Sequence, residues 1–147
     1  MTTSEKEEQF RKLIVELRLM QGSAEVLQRR LELMQNAATD LSIAESSLSA
    51  LKETKEGTSI LVPLGGNAYA NAQLGDLKMV IVGIGADISV EMELGKAVEE
   101  ISTRLGDVEK TAQSVQQQLE QVVAQMQVHQ DVINRLSSEL RGEAPRV

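Results

Sequence analysis

The feature that most limits what this chain can fold into is a run of apolar residues at Leu94, Val98, Ile101, Leu105, Val108, Ala112, Val115, Leu119, Val122, Met126, Ile133, Leu136 and Leu140, with His129 in the one polar place. The steps alternate between three and four residues throughout. That period of 3.5 is the seam of a supercoiled helix. A second seam runs through Phe10, Leu13, Leu17, Met20, Ala24, Leu27, Leu31, Met34, Ala38 and Leu41. After Leu41 the apolar residues Ala44, Leu48 and Leu51 continue one three-residue step out of phase, as a stammer produces, and the helix is predicted to reach about Glu53. Gly22 costs about 1 kcal/mol relative to Ala, which predicts local looseness and no break. Gly142 and Pro145 are predicted to end the second helix. Each arm is then a rod on the order of 60 to 70 Å long, and near-equal lengths suit an antiparallel hairpin in which the returning helix covers the seam of the outgoing one.

Between the arms the chemistry changes. Residues 57–92 hold one basic and three acidic residues but six of the ten glycines. Residues 59–64 and 79–84 are almost continuous apolar runs, 88–92 alternates with period 2, and 69–74 is the weakest strand candidate because Ala70, Asn71 and Ala72 sit at its centre. Gly65-Gly66-Asn67 and Gly85-Ala86-Asp87 supply residues suited to positive φ and are predicted as the turns of two β-hairpins. The chain thus reads as an N-terminal coiled-coil helix (1–56), two β-hairpins (57–92) and a C-terminal coiled-coil helix (93–147). The fold class is mainly α with a small β part. Hairpins of this size are marginal alone, and strands apolar on both faces need more cover than one pair of helices supplies, so pairing with other chains is expected.

Composition removes most other functions. With no Trp, one Tyr and one Phe among 147 residues, the aromatic burial that usually dominates a compact core is missing. A formal charge of −7 with no Lys/Arg-rich run leaves no footprint for nucleic acid. The absence of Cys and a single His exclude disulfides, thiolate zinc sites and Cys nucleophiles, and no metal or cofactor is expected. The first ten residues are charged, and no stretch approaches the roughly 20 apolar residues of a membrane span, so a cytoplasmic protein without membrane contact is expected. Gly83-Ile84-Gly85-Ala86-Asp87-Ile88 opens like a dinucleotide fingerprint but has Ile88 where the third glycine belongs, and no helix starts at that turn. Carboxylates are interspersed with Lys and Arg on helix faces, without a paired acid and base. The chain is not expected to be an enzyme.

Leu61-Val62-Pro63-Leu64-Gly65, followed by Tyr69, then Val80-Ile81-Val82-Gly83-Ile84-Gly85 and Val90-Glu91, set between two heptad arms, resembles the α-type subunit of prefoldin. Two hairpins indicate the α class, since β-type subunits carry one. The chain departs from the family at Ala70, where a larger β-branched residue is usual. The resemblance implies a hexamer of two α and four β subunits whose hairpins assemble an intersubunit β-barrel platform. Here the platform would use Ile60, Val62, Leu64, Tyr69, Leu74, Val80, Val82, Ile84, Ile88 and Val90. It also implies that the coil ends hold non-native polypeptide and deliver it to a group II chaperonin without ATP.

For the coil ends, the seams bring Phe10, Leu13, Ile14 and Leu17 beside Val132, Ile133, Leu136 and Leu140, and the end turns of a coiled coil fray for want of neighbours. Ile14 and Val132 lie off the seams, where packing within the chain explains them less easily. These eight residues are the expected client-binding set. His129, with no second His and only Asp131 nearby, reads as a tolerated polar seam residue without a functional role. A structural coiled-coil scaffold, or a filament-forming relative of the same architecture, is the alternative that the residues leave open.

Overall fold

A computed structural model describes residues 2–142, so Pro145, predicted to help end the second helix, lies outside the described residues. The elements run α1 (Thr3–Lys52), β1 (Ser59–Gly65), β2 (Ala68–Gln73), β3 (Met79–Gly85), β4 (Ile88–Glu93) and α2 (Leu94–Leu140). This is the expected coiled-coil hairpin with two β-hairpins between its helices. Helix α1 begins in a reciprocal cap: Thr2 Oγ1 accepts from the Glu5 N–H at 3.2 Å, and Glu5 Oε2 accepts from the Thr2 N–H at 3.1 Å. It runs unbroken through Gly22 and ends one residue short of the predicted Glu53.

The chain forms two compact units, one of Met1–Gln35 with Lys110–Val147 and one of Asn36–Glu109. In the first, every seam residue is buried or half-buried, and Leu31, Val115, Ile133 and Leu136 are buried. The helices are antiparallel: Lys6 Nζ meets Glu139 Oε2 at 3.3 Å, and Glu16, ten residues further along α1, meets His129, ten residues back along α2, at 2.9 Å. A constant register over this stretch is what two matched 3.5-residue seams produce.

In the second unit the phase step in α1 acquires a physical meaning. Leu41, Ala44 and Leu48 pack, with Val80, against a core of Val82, Met92, Ala97 and Ile101. Ala97 is off the α2 seam, one residue before Val98, and its small side chain lies fully enclosed among these larger ones. The three-residue step therefore serves α1 where it must meet a sheet as well as a helix. Arg104 fastens the same hairpin from α2, its Nη1 donating to the Gly83 carbonyl at 2.6 Å while Nη2 lies 3.3 Å from Glu100.

Each hairpin is antiparallel, with Val62 opposite Ala70 and Val82 opposite Val90, and each shifts register just before its turn, between Pro63 and Gly65 and between Gly83 and Gly85. Three successive left-handed residues follow in both: Gly65, Gly66 and Asn67 at φ 95°, 57° and 63°, and Gly85, Ala86 and Asp87 at 111°, 51° and 60°. Glycine, Asn and Asp tolerate this region, whereas Ala86 costs about 1 kcal/mol or more there.

Val82 was expected to face other subunits and does not. At 6% exposure it belongs to the subunit's own core, because strand alternation turns it, with Val80 and Met92, toward the helices, whereas Ile81 next to it is 74% exposed. Val82→Asp should accordingly lower the chain's own thermal stability by several kcal/mol, the cost of an unpaired buried charge. Ile81→Asp should leave it within about 0.5 kcal/mol. Circular dichroism melts of both variants check this, and equal melts would overturn the assignment of the faces.

Candidate functional site

Two surfaces carry apolar groups that the chain itself does not cover. The first is the hairpin pair. All of β1 is exposed, and the face holding Ile60 and Val62 is opposed across β2 by Ala72 and Ala70. The small residue at position 70 does not prevent β2 from forming, since its backbone pairs with β1 along its length. Leu74 is half-buried, donating to the Thr58 carbonyl at 2.9 Å and accepting from the Gly57 N–H at 2.7 Å, which carries the ladder one step past β2. Leu64, Tyr69, Ile84, Ile88 and Val90 are exposed, and Val80 is half-buried. The hairpins form separate two-stranded sheets, so among the described residues each strand has one edge without a strand beside it. Such edges are templates for further pairing.

The second surface lies on the unit formed by the helix ends. Phe10, Leu13, Ile14, Leu17, Val132 and Leu140 are half-buried, whereas Ile133 and Leu136 are only 7% and 3% exposed. These last two are closed by the coil, because their seam positions point at the opposite helix, and they become available only where the end turns open. Sequence reasoning missed exposed apolar groups nearby, among them Val15 at 57% and Leu19 at 68%, which head a stripe continued by Val26 and Leu33. Each stands two residues beyond a seam position and so on the outer side of α1, where a coiled coil normally carries polar residues. Leu19, Gly22, Ser23, Val26 and Leu27 line an open groove there. The signal was legible, since each is an apolar residue that the 3.5 period does not explain.

Two polar contacts at this end span the two helices among the described residues. Besides the Lys6–Glu139 pair, His129 Nε2 lies 2.9 Å from Glu16 Oε2, and Nδ1 lies 3.1 Å from the Gln125 carbonyl. The histidine expected to be a bystander thus bridges the helices. Among the described residues Gln9 Oε1 is enclosed without a hydrogen-bond partner. No cluster of three His, Cys, Asp or Glu able to hold a metal ion occurs among the described residues, and no helix there is long and apolar enough to cross a membrane.

The family model for prefoldin subunits matches residues 20–139, both hairpins included. The chain belongs to the prefoldin family. It is 34% identical over 109 residues to the prefoldin subunit alpha of Methanothrix thermoacetophila, covering 74% of this chain and 71% of that one. It is 30% identical over 138 residues to the prefoldin subunit alpha of Archaeoglobus fulgidus, covering 93% and 99%. Among solved structures it resembles the filamentous prefoldin of Methanocaldococcus jannaschii, with a TM-score of 0.64 at 23% identity over 80% of this chain and 95% of that one. The prefoldin fold is thus common to the sequence relatives and the structural neighbour.

The exposed apolar faces of the hairpins can be tested without disturbing the subunit core. Val62→Asp combined with Ile81→Asp should keep the helical circular dichroism of the native chain while shifting sedimentation toward folded protomers. Persistence of the native mass would exclude these faces as the contact.

Proposed function

We propose that this chain is the α-type subunit of a cytoplasmic, ATP-independent holdase. Its hairpins join β-type prefoldin subunits in an α2β4 hexamer, and its coil ends hold non-native polypeptide for transfer to a group II chaperonin. The observation that carries the capture step is apolar surface beside the end of the coil: Val15 and Leu19 exposed, with Phe10, Leu13, Ile14, Leu17, Val132 and Leu140 half-buried alongside. A helix satisfies its backbone internally, so this surface offers side-chain burial without a fixed hydrogen-bond register, which suits partners of many sequences. Each contact is weak. Several coil ends tethered to one platform raise the effective concentration enough to retain an unfolded chain and still release it. The open strand edges support the hairpins' part in assembly, and the alpha-subunit relatives support the choice of partner.

Light scattering of a denatured client diluted into the assembly tests capture. Trimming residues 1–17 with 133–147 leaves both hairpins and the seams from Met20 to Leu41 and from Leu94 to Met126, so assembly should survive while suppression of aggregation falls sharply. The sparing variant is Val15→Ser with Leu19→Ser. It should change subunit stability by less than about 0.5 kcal/mol, yet weaken capture, because each lost side chain removes about 1.5 to 3 kcal/mol of available burial. Native mass spectrometry with a β-type subunit reads the stoichiometry. Unchanged suppression by the trimmed assembly would move capture away from the coil ends, and no suppression by the intact assembly would favour a scaffold or filament role.

A further inference from the structure

Val15, Leu19, Gly22, Val26, Arg29 and Leu33 step by four and three residues in alternation along the outer side of α1, each two residues beyond a seam position. The row shares the seam's period of 3.5, so it stays on one face of a supercoiled helix, and all six residues are exposed. Four of them are apolar. Between Leu19 and Val26 the row is hollow: a Cβ on Gly22 would touch nothing within 4 Å, and Leu19, Gly22, Ser23 and Val26, with Leu27, border an open groove. Residues spaced i, i+3, i+4 and i+7 are the four that form a hole for a knob from a neighbouring helix. Gly22 weakens α1 as a single helix, and a hole that a second helix fills gives it a use.

We propose that this row is a second coiled-coil seam, and that its occupant is the same row of a second copy of this chain, packed antiparallel. Val26 enters the hole at Gly22 of the second copy, Leu33 meets Val15 of the second copy, and Leu19 meets the aliphatic stem of Arg29. The contact is twofold, so each of these layers occurs twice and the interface closes on itself.

Charge selects the second copy and the antiparallel register. One flank of the row carries Arg18, Glu25 and Glu32, and the other carries Glu16, Ser23 and Arg30. Antiparallel packing faces each flank with itself in reverse order. Arg18 then comes beside Glu32 of the second copy, and Glu16 beside Arg30, while Glu25 meets its own counterpart with Arg29 3.9 Å away along the same helix. Opposite charges at such flanking places set partner choice and orientation. A parallel pair would instead oppose Arg29 to Arg29 and Gly22 to Gly22, a like-charge layer and a void. Shifting the antiparallel pair by one heptad opposes Glu25 to Glu32 in one direction and Leu33 to Glu8 in the other. Exposed ion pairs contribute little each, so the contact is weak and reversible. It covers Val15 and Leu19, so a client and a second copy compete for the same face. That consequence rests on the function proposed above, whereas the pairing itself does not.

The chain has no cysteine, so single thiols can report the register. Full-length chains carrying Val15→Cys are mixed with full-length chains carrying Leu33→Cys under mild oxidation. The mixture should form a disulfide-linked pair and neither variant should link to itself, because like positions lie far apart in the antiparallel contact. Leu33→Cys mixed with Val128→Cys, an exposed position on α2, measures chance collision. Pairing raises the effective concentration of the matched thiols, so their linkage should exceed that control roughly tenfold or more. Arg18→Glu should lower the linked yield, and adding Glu32→Arg should restore it. Linkage no greater than the control, self-linkage of either variant, or a yield indifferent to Arg18→Glu would overturn the proposal. Light scattering of a denatured client, before and after the disulfide is reduced, separates pairing from capture. Stronger suppression after reduction upholds both at this face. Equal suppression upholds the pairing and moves capture elsewhere, and absence of linkage defeats the pairing alone.

Discussion

Two helices wound about each other can each cover one stripe of the other, and most of the burial among the described residues is of that kind. Among the described residues eight are buried, and five of them, Leu31, Ile101, Val115, Ile133 and Leu136, are seam positions. A compact domain of this length would enclose many large side chains, and here no large side chain is fully enclosed among the described residues. Apart from Val82, Met92 and Ala97, the apolar groups beyond the two stripes are left at least partly at the surface among the described residues. The hairpins have the most such groups, because a strand presents two faces and the helices can cover one.

The three remaining buried residues, Val82, Met92 and Ala97, show how that one face is covered. Continuing the α1 seam in phase past Leu41 would have kept the helix facing only its partner. The three-residue step to Ala44 and Leu48 redirects the stripe so that it also meets β3 and β4, and Ala97 contributes a side chain small enough to fill the junction. Hairpin β3–β4 is thereby tied to the helices, with Arg104 adding a bond to its backbone. Hairpin β1–β2 has no buried residue, so it depends more heavily on whatever covers its faces.

Most of this architecture was legible because both helices obey one period and both turns use residues that favour left-handed backbone. The seam predicted burial correctly at every position from Phe10 to Leu41 and from Leu94 to Leu140. What the sequence could not reveal were the relations between elements. Val82 and Ile81 look equivalent in an unbroken apolar run, and only the placement of β3 against α2 decides which faces inward. Ala97 resembles any helix-favouring alanine until the hairpin closes over it. His129 was read as a tolerated polar seam residue, since Glu16 lies 113 positions away and only the antiparallel register brings them together. Val15 and Leu19 were overlooked for the opposite reason: attention to the period made residues outside it easy to pass over.

The two uncovered surfaces differ in a way that bears on what each can bind. A strand edge presents backbone donors and acceptors at fixed spacing, and a partner must supply a strand in register to satisfy them, so contacts there are selective and cooperative. The outer face of α1 presents no unpaired backbone groups. Leu19 and Val26 can be covered by any apolar side chain from many directions, and a partner gains from burial alone. One chain therefore carries a selective surface on its hairpins and a permissive one on its coil, both arising from the same shortage of interior. Selectivity follows from leaving hydrogen bonds open, and permissiveness follows from having closed them within the helix.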